Sequence, residues 1–309
     1  MFDVHLKIKA PKFLLAFPPM QFTKDEMIRP DGTLALPYLD ATLTRAGFQS
    51  RILDMSIGTP EDDLQDTFYN QVPINPKFVR VGMSPERILE EVQDVDVIGL
   101  TSIFTQQTAR CFEISNLIKM HFPEKLVVGG GVNARSLKEH FFNNGFDVIF
   151  TSEGEFPLVD FARWLESGRP ALHEIPGITF RQDGKIITTP ANQLVNELDD
   201  LPLPAWEKLP YERYWEISRL WGGKEGLVEH DGPVRYAAIF TSRGCPFTCS
   251  YCHISKEKGS EAGDIGNLRL HSIDRVDQEF EKLKSMNVNY IYINDDSFLA
   301  KKNRVRVIL

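Results

Sequence analysis

Cysteine is scarce in this chain, which has four in 309 residues. So few cysteines exclude a disulfide-stapled scaffold and favour a reducing compartment. Basic residues are also in deficit, with 35 Lys and Arg against 43 Asp and Glu and a net charge of −8, which argues against a nucleic-acid partner. The N-terminal apolar run Phe13–Phe17 is too short for a signal h-region or a membrane span. We therefore expect a soluble, cytoplasmic protein with neither a membrane nor a nucleic-acid partner.

The composition is that of a folded protein with buried cores. Hydrophobic residues make up 42% of the chain and aromatic residues 11%, which excludes a largely disordered chain. A length of 309 residues suits about two domains.

Strands and helices alternate through the first half of the sequence. The predicted strands are Lys12–Phe17, Gln49–Met55, Asp96–Ser102, Lys125–Gly131 and Asp147–Ser152. The predicted helices are Leu34–Ala46, Ser84–Val92, Thr105–Met120, Ala134–Asn143 and Phe156–Glu166. Such alternation predicts an α/β fold with a doubly wound parallel sheet. Ligands of such sheets bind beyond the carboxyl ends of the strands.

Small and polar residues follow three of the predicted strands at those carboxyl ends. They are Thr101 and Ser102, then Gly129, Gly130 and Gly131, then Glu153, Gly154 and Glu155. Three successive glycines let a ligand approach the backbone closely, although a tight turn into the next helix is the alternative explanation. The G-x-G-x-x-G fingerprint is absent, so a nicotinamide dinucleotide is not indicated.

This stretch resembles the cobalamin-binding domains of vitamin B12 enzymes. Their fingerprint has Ser-x-Leu after one strand and Gly-Gly after the next, and this chain has Thr101-Ser-Ile103 and then Gly129-Gly130. The resemblance implies that Thr101, Ser102, the three glycines and Glu153 bind cobalamin. The family's Asp-x-His-x-x-Gly loop has no counterpart after the first strand, where Pro18–Asp25 contains no histidine. The resemblance then implies a cobalt without a protein histidine ligand from that loop.

A connector and a second strand–helix–strand unit follow. Residues 175–190 predict a hairpin with Asp183-Gly184 at its turn, and residues 197–210 predict an ordered, extended, Pro-rich linker. No periodic element is predicted for 211–234. Arg235–Thr241 and Tyr290–Asn294 are predicted strands, and Ser272 is the predicted N-cap of the helix between them.

Three of the four cysteines, Cys245, Cys249 and Cys252, crowd the loop after the first of these strands. Structural zinc and iron–sulfur sites normally close with four protein ligands. Three thiolates therefore suggest a [4Fe-4S] cluster with one iron open to a cofactor or substrate. The alternative is a zinc site completed by His253 or His271. Cys111 lies at helical spacing with Ile114 and Ile118, so it is predicted to be a core residue.

The Cys-x3-Cys-x2-Cys loop, with the aromatic Tyr251 before its last cysteine, resembles the signature of radical S-adenosylmethionine (SAM) enzymes. Together with the first half, the chain is identified as similar to cobalamin-dependent radical SAM enzymes. The resemblance implies that the three cysteines hold a [4Fe-4S] cluster that cleaves SAM. It also implies that Tyr251 lies against the adenine and that Asp295 or Asp296 contacts the SAM amino group.

The function implied is cobalamin-dependent methylation of an unactivated carbon in a small-molecule or peptide substrate, with flavodoxin or ferredoxin as electron donor. A radical cyclase or rearrangement enzyme without methyl transfer, and a non-catalytic cobalamin- or metal-binding fragment, are the alternatives. The expected domains are a Rossmann-like cobalamin domain at 10–168, a connector at 169–232 and the start of a (β/α) barrel at 233–309. Because a complete barrel takes about 200 residues, we expect a C-terminally truncated chain that is not active alone.

Overall fold

The computed structural model describes residues 6–24, 26, 30, 33–191, 195–220, 234–260 and 262–309. Its strands are β1 (Lys12–Phe17), β2 (Met20–Thr23), β3 (Gln49–Asp54), β4 (Val72–Pro73), β5 (Phe78–Val81), β6 (Val97–Thr101), β7 (Leu126–Gly130), β8 (Val148–Phe150), β9 (Ile178–Gln182), β10 (Lys185–Thr188), β11 (Tyr236–Ile239), β12 (Ser242–Arg243), β13 (Arg269–Leu270) and β14 (Tyr290–Ile293). Its α-helices are α1 (Ala35–Arg45), α2 (Pro85–Glu91), α3 (Thr108–His121), α4 (Val132–Ser136), α5 (Lys138–Asn143), α6 (Glu155–Ser167), α7 (Tyr211–Leu220), α8 (His253–Lys256), α9 (Ile273–Ser285) and α10 (Lys302–Ile308).

The main sheet has seven strands in the order β10-β9-β8-β7-β6-β1-β3. Strands β3, β1, β6, β7 and β8 run parallel, which confirms the predicted α/β fold. Because β1 pairs with both β3 and β6, which are the next two strands of this sheet along the chain, the strand order reverses between β1 and β6. Ligands of open α/β sheets bind in the crevice at such a reversal.

Both faces of this sheet are covered by helices. The side chains of β1 alternate between the two faces of the sheet. Those of Phe13 and Leu15 pack in the core beneath α1 and α6, whereas those of Leu14 and Ala16 pack in the core beneath α2, α3 and α5. All four are at most 2% exposed. This double burial is the reason that a nearly continuous apolar run forms a central parallel strand.

Local signals predicted several element ends correctly. Helix α1 ends at Arg45 with Ala46 as its C-cap, and Gly47 follows at a φ of +91°, a conformation that glycine adopts without strain. The Ser84 and Ser272 side chains cap α2 and α9 by accepting hydrogen bonds from the N–H groups of Arg87 and Arg275.

The predicted hairpin forms too, as β9 and β10. It adds to the edge of the sheet, with Asp183 and Gly184 both at positive φ in the two-residue turn.

Some elements have no counterpart in the sequence-based prediction. Strand β2 lies in the segment taken as the loop Pro18–Asp25, and it pairs with β5 in a small antiparallel sheet whose other edge is β4. Asp25 itself is outside the described residues. Helix α7 occupies part of 211–234, for which no element was predicted, while 221–233 are outside the described residues.

The second half consists of a parallel pair, β11 and β14, joined through α9. The connector packs against this unit. The Trp206 side chain is fully buried and its indole N–H donates to Ala238 O at 3.2 Å, while Arg275 and Lys282 of α9 donate to connector carbonyls. None of the helices within the described ranges is long and apolar enough to cross a lipid bilayer.

Candidate functional site

A cavity of about 380 Å³ lies at the carboxyl ends of β1, β6, β7 and β8. The half of the chain that forms the main sheet, called the sheet half below, lines it with Thr101, Gly129, Gly130, Gly131 and Glu153. The second half lines it with Phe240, Ser242, Arg243 and Asp296. One cavity therefore touches most of the residues predicted from the sheet and one of the two aspartates predicted after β14.

The three glycines have different surroundings. A Cβ on Gly131, at a φ of +98°, would lie 2.4 Å from the carbonyl oxygen of Ser102, so the turn itself requires that glycine. A Cβ on Gly129 would lie 3.0 Å from the side chains of Ile149 and Phe146. A Cβ on Gly130 would meet no atom of the described residues within 4 Å. The turn explanation thus holds for Gly131, whereas Gly130 presents bare backbone to open space at the cavity.

Thr101 and Ser102 are both buried, but only Thr101 lines the cavity. The Ser102 hydroxyl accepts a hydrogen bond of 2.8 Å from the Asn133 amide, and the Ser102 carbonyl accepts one from the Asn133 N–H. Ser102 therefore holds the loop after β6 against the start of α4. Cys111 is fully buried behind this loop, where burial raises the pKa of its thiol to about 12.

The Glu153 carboxylate is occupied by protein groups. It accepts hydrogen bonds from Arg269 (2.7 and 2.8 Å), Arg243 (3.1 Å) and the backbone N–H of Val195 (3.1 Å). Burial alone would raise the pKa of Glu153, but the bonds from Arg269 and the charge of Arg243 outweigh it and lower the pKa.

The three cysteines lie on the loop between β12 and α8. Cys249 is exposed, whereas Cys245 and Cys252 are half-buried, and all three thiols are free. In the described part of the chain, no three His, Cys, Asp or Glu side chains are grouped closely enough to hold a metal ion. Three free thiols on one partly exposed loop are a donor set that suits an iron–sulfur cluster.

The alternative histidine ligands occupy other places. His271 is buried, and its Nδ1 lies 3.0 Å from Asp199 Oδ1 in the connector. Burial lowers the pKa of His271 to about 4, so the ring is neutral at physiological pH. His253 begins helix α8 directly after Cys252.

Asp295 and Asp296 are not equivalent. The Asp295 carboxylate accepts four hydrogen bonds of 2.6 to 3.0 Å from the backbone and hydroxyl groups of Thr241 and Ser242. It thereby joins the end of β14 to the end of β11. Asp296 accepts a bond from the Gly244 N–H at 3.1 Å, lines the cavity, and has a pKa raised by burial.

Tyr251, the aromatic residue before the last cysteine, is 92% exposed. Phe247 in the same loop is 58% exposed. The described residues therefore leave the aromatic face of this loop uncovered.

Sequence reasoning missed Arg243. It precedes the cysteines, and its guanidinium donates to Glu155 Oε1 at 2.6 Å and lies over the Tyr38 ring. A signal for it was present, because a charged side chain next to a buried strand needs an opposite charge nearby. Glu155, at the carboxyl end of a predicted strand, supplies that charge.

No family model matches the chain. It is 26% identical over 324 residues to the cytidylyl-2-hydroxyethylphosphonate methyltransferase of Streptomyces wedmorensis, covering 96% of this chain and 56% of that protein. It is 25% identical over 215 residues to the cobalamin-dependent radical SAM methyltransferase TokK of Streptomyces tokunonensis, covering 69% of this chain and 29% of that one.

A solved structure has a similar fold. It is the radical SAM methyltransferase TsrM from Kitasatospora setae with cobalamin and a [4Fe-4S] cluster bound, at a TM-score of 0.67 and 17% identity, over 97% of this chain and 52% of that one. The chain thus spans about half the length of the first of these relatives.

Proposed function

We propose that this chain, which is related to the cobalamin-dependent radical SAM methyltransferases, carries the cofactor-binding part of an enzyme that methylates an unactivated carbon of a small-molecule substrate. Cobalamin, a [4Fe-4S] cluster and SAM are its proposed cofactors. Flavodoxin or ferredoxin is the proposed electron donor.

The observation that carries the proposal is the cavity shared by the two halves. Gly129, Gly130 and Gly131, which form the glycine edge of the sheet, line the same cavity as Asp296. A methyl carrier held by the sheet and a SAM molecule held by the cysteine loop would therefore face each other. This arrangement supports methyl transfer because two reacting groups must be held close together.

The residues present fit a flat, bulky cofactor on the sheet. The bare backbone of Gly130 lets a planar macrocycle approach, Thr101 lies opposite it at the end of β6, and Gly129 precedes it in β7. Gly131 and Ser102 shape the turn from behind. We propose that these residues hold cobalamin, Ser102 by positioning its loop.

The cysteine loop fits the cluster by the chemistry of its donors. Cys245, Cys249 and Cys252 would ligate three irons and leave the fourth for SAM. Asp295 already accepts hydrogen bonds from Thr241 and Ser242, which supports Asp296 as the proposed acceptor of a hydrogen bond from the SAM amino group. Tyr251 remains the proposed contact for the adenine.

When bound, these cofactors supply reductive cleavage of SAM and carriage of the methyl group, while the protein supplies orientation. The chain's own residues separate the site from water on the sheet side. Leu15, Val128 and Phe150 line the cavity between the strand ends and are buried. A dry wall of this kind favours radical chemistry by excluding competing reactions with solvent.

Anaerobic reconstitution with iron and sulfide tests the cluster. We expect about four irons and four sulfides per chain, loss of both in Cys249→Ala, and retention of both in Cys111→Ala, which removes a buried core thiol. A colourless protein that binds one zinc would overturn the proposal in favour of a zinc module.

Hydroxocobalamin and SAM then separate the remaining alternatives. With dithionite as reductant, formation of S-adenosylhomocysteine that requires hydroxocobalamin supports methyl transfer. Formation of 5′-deoxyadenosine without S-adenosylhomocysteine supports the radical cyclase or rearrangement alternative. If no corrinoid alters the absorption spectrum of the protein, the assignment of the sheet is wrong.

A further inference from the structure

The cysteine segment is flanked by two arginines that reach the same carboxylate. Arg243 lies two residues before Cys245, and Arg269 lies after Cys252. They belong to the antiparallel pair β12–β13, in which Arg243 is opposite Arg269. Both guanidinium groups donate to Glu153 of the sheet half, Arg269 through two nitrogens and Arg243 through one. One carboxylate therefore closes the whole loop at its base.

The sheet half presents this carboxylate from a well-supported place. Glu153 follows β8 at the carboxyl edge of the sheet, and Glu155 begins α6 two residues later. Glu155 takes the second nitrogen of Arg243, whose guanidinium also lies over the Tyr38 ring at 5.1 Å. Arg243 is thus held from three sides by the sheet half.

The four charged side chains form a compact, neutral group. Their exposed fractions are 16% for Arg243, 10% for Arg269, 10% for Glu153 and 7% for Glu155. Bidentate arginine–carboxylate pairs have directional geometry, so they fix an orientation as well as a distance. Removing one partner from such a group leaves a buried charge uncompensated, which is costly.

The far side of the cysteine segment is attached to the sheet half as well. The Arg135 guanidinium pairs with Glu257 just beyond α8. The Ser152 hydroxyl donates to the carbonyl of Ala262 at 2.8 Å. Ser152 is the residue before Glu153. The same turn of the sheet half therefore contacts both the arginine pair that flanks the cysteine segment and Ala262 within that segment.

We propose that Glu153 is a positioning residue that fixes the cysteine segment, of which residues 245–260 and 262–268 are described, against the glycine edge of the sheet, and that it is not a ligand of cobalamin. The proposal rests on the proposed function only for the identity of the cofactors that face each other. Its consequence is that the contacts of Glu153 with Arg243 and Arg269 help to set the separation between the two cofactor sites. Small errors in such a separation reduce the rate of a reaction between two bound groups severely.

Hydrogen exchange on the full chain, without added cofactors, tests the positioning role. In Glu153→Gln we expect amides of 245–260 to exchange at least about tenfold faster than in the wild type, because the base of the loop opens locally. Amides of β6 and β7 should keep their wild-type rates.

Asp147→Asn is the matched control. Asp147 lies at the opposite end of the same strand region, where it pairs with Lys119 at 2.6 Å and is similarly buried. This variant should leave exchange in 245–260 unchanged. Equal exchange of 245–260 in Glu153→Gln and in the wild type would overturn the proposal.

A second variant decides the case in which Glu153→Gln does not fold. Arg269→Lys keeps the charge but loses the two-nitrogen contact, so we expect an intermediate increase in exchange over the same amides. Wild-type exchange in Arg269→Lys would contradict the proposal.

The two proposals fail in different ways. Hydroxocobalamin should bind Glu153→Gln with its wild-type affinity, whereas the electron paramagnetic resonance signal of the reduced cluster with SAM should broaden or shift. A large loss of hydroxocobalamin affinity with unchanged loop exchange would make Glu153 a cofactor ligand and overturn the positioning role. If the wild type assembles no cluster, the proposed function fails, and the exchange result still decides whether Glu153 holds the loop.

Discussion

The parallel strands β1 and β14 come from equally apolar segments, yet they lie in different surroundings. Residues 13–16 of β1 are fully buried between two layers of helices, with a hydrogen-bonded strand on each side. All four residues of β14 are half-buried, and within the described ranges β14 pairs with β11 alone. The sheet half therefore encloses its own core. The second unit depends on its neighbours.

Those neighbours are the connector and the small antiparallel sheet. The core around β11 and β14 includes Trp206 and Tyr214 from the connector and Val79 from β5. The polar contacts repeat the pattern, because Arg275 and Lys282 of α9 donate to carbonyls of the Pro-rich linker. The Pro-rich linker is therefore a structural part of the second unit.

The largest expected loss of stability comes from removing Arg275, which joins α9 to the Pro-rich linker. Its guanidinium donates to the carbonyls of Leu201 and Pro202 and to Glu279, which is fully buried. Arg275→Ala should lower the free energy of unfolding of the second unit by about 3–5 kcal/mol, because it leaves a buried carboxylate uncompensated. Denaturant unfolding followed by tryptophan fluorescence measures it.

Lys284→Ala on the same helix is the control, since Lys284 is 75% exposed and pairs only at the surface. It should cost less than about 0.5 kcal/mol. Similar costs for the two variants would show that the linker is not a support.

Two neighbouring glycines of the glycine edge should affect different quantities, Gly131 the stability of the sheet half and Gly130 the binding of the corrinoid. Gly131→Ala should destabilise the sheet half by about 2–4 kcal/mol, from positive-φ strain and from overlap with the Ser102 carbonyl. Gly130→Ala should change stability by less than about 1 kcal/mol but weaken hydroxocobalamin binding at least about tenfold. Thermal unfolding and an absorption titration measure the two quantities. Wild-type corrinoid binding by Gly130→Ala would remove the glycine edge from the proposed site.

The contact of the buried His271 with Asp199 of the connector predicts that stability depends on pH, with an effect of intermediate size. Because burial lowers its pKa to about 4, the unfolded chain takes up a proton on this histidine near pH 6.5 while the folded chain does not. Its stabilising contribution is therefore complete above about pH 6.5 and is lost as the pH falls toward 4. Between pH 7 and pH 5 the loss should be about 1–2 kcal/mol.

Unfolding curves of the wild type and His271→Gln at these two pH values test this expectation. The variant should show the smaller loss, since it has no ring to protonate. Identical pH dependence in both proteins would argue against a neutral buried His271.

The smallest expected effects should be equal in the two regions. Ser84 and Ser272 cap α2 and α9 through the same hydrogen bond, at 3.3 and 3.1 Å. Ser84→Ala and Ser272→Ala should each cost about 1 kcal/mol, because a cap is a local interaction. Denaturant midpoints measure both. A loss several times larger for Ser272→Ala would show that the second unit also amplifies local defects.

Much of the fold was predictable because its signals are local. The five parallel strands, the Gly47 helix end, the Asp183-Gly184 turn and the two serine caps follow from apolar runs and backbone preferences. The β2–β5 pairing was missed because its strands are short and more than 50 residues apart. Helix α7 was missed although Tyr211, Tyr214, Trp215 and Ser218 have helical spacing, because aromatic and charged residues alternate there without an aliphatic stripe.

The candidate site divides in the same way. The sequence alone singled out candidates for it, namely the cysteine triplet, the glycine run and the carboxylates after the strands, because their chemistry is carried by residue type and spacing. Tertiary structure alone decided what each one touches. Asp295 accepts hydrogen bonds from Thr241 and Ser242, whereas Asp296 lies at the cavity. Glu153 pairs with two arginines that are more than 85 positions away in the sequence. The physical reason is that a buried carboxylate must find donors in space, and which donors come within reach depends on how the second unit packs on the sheet.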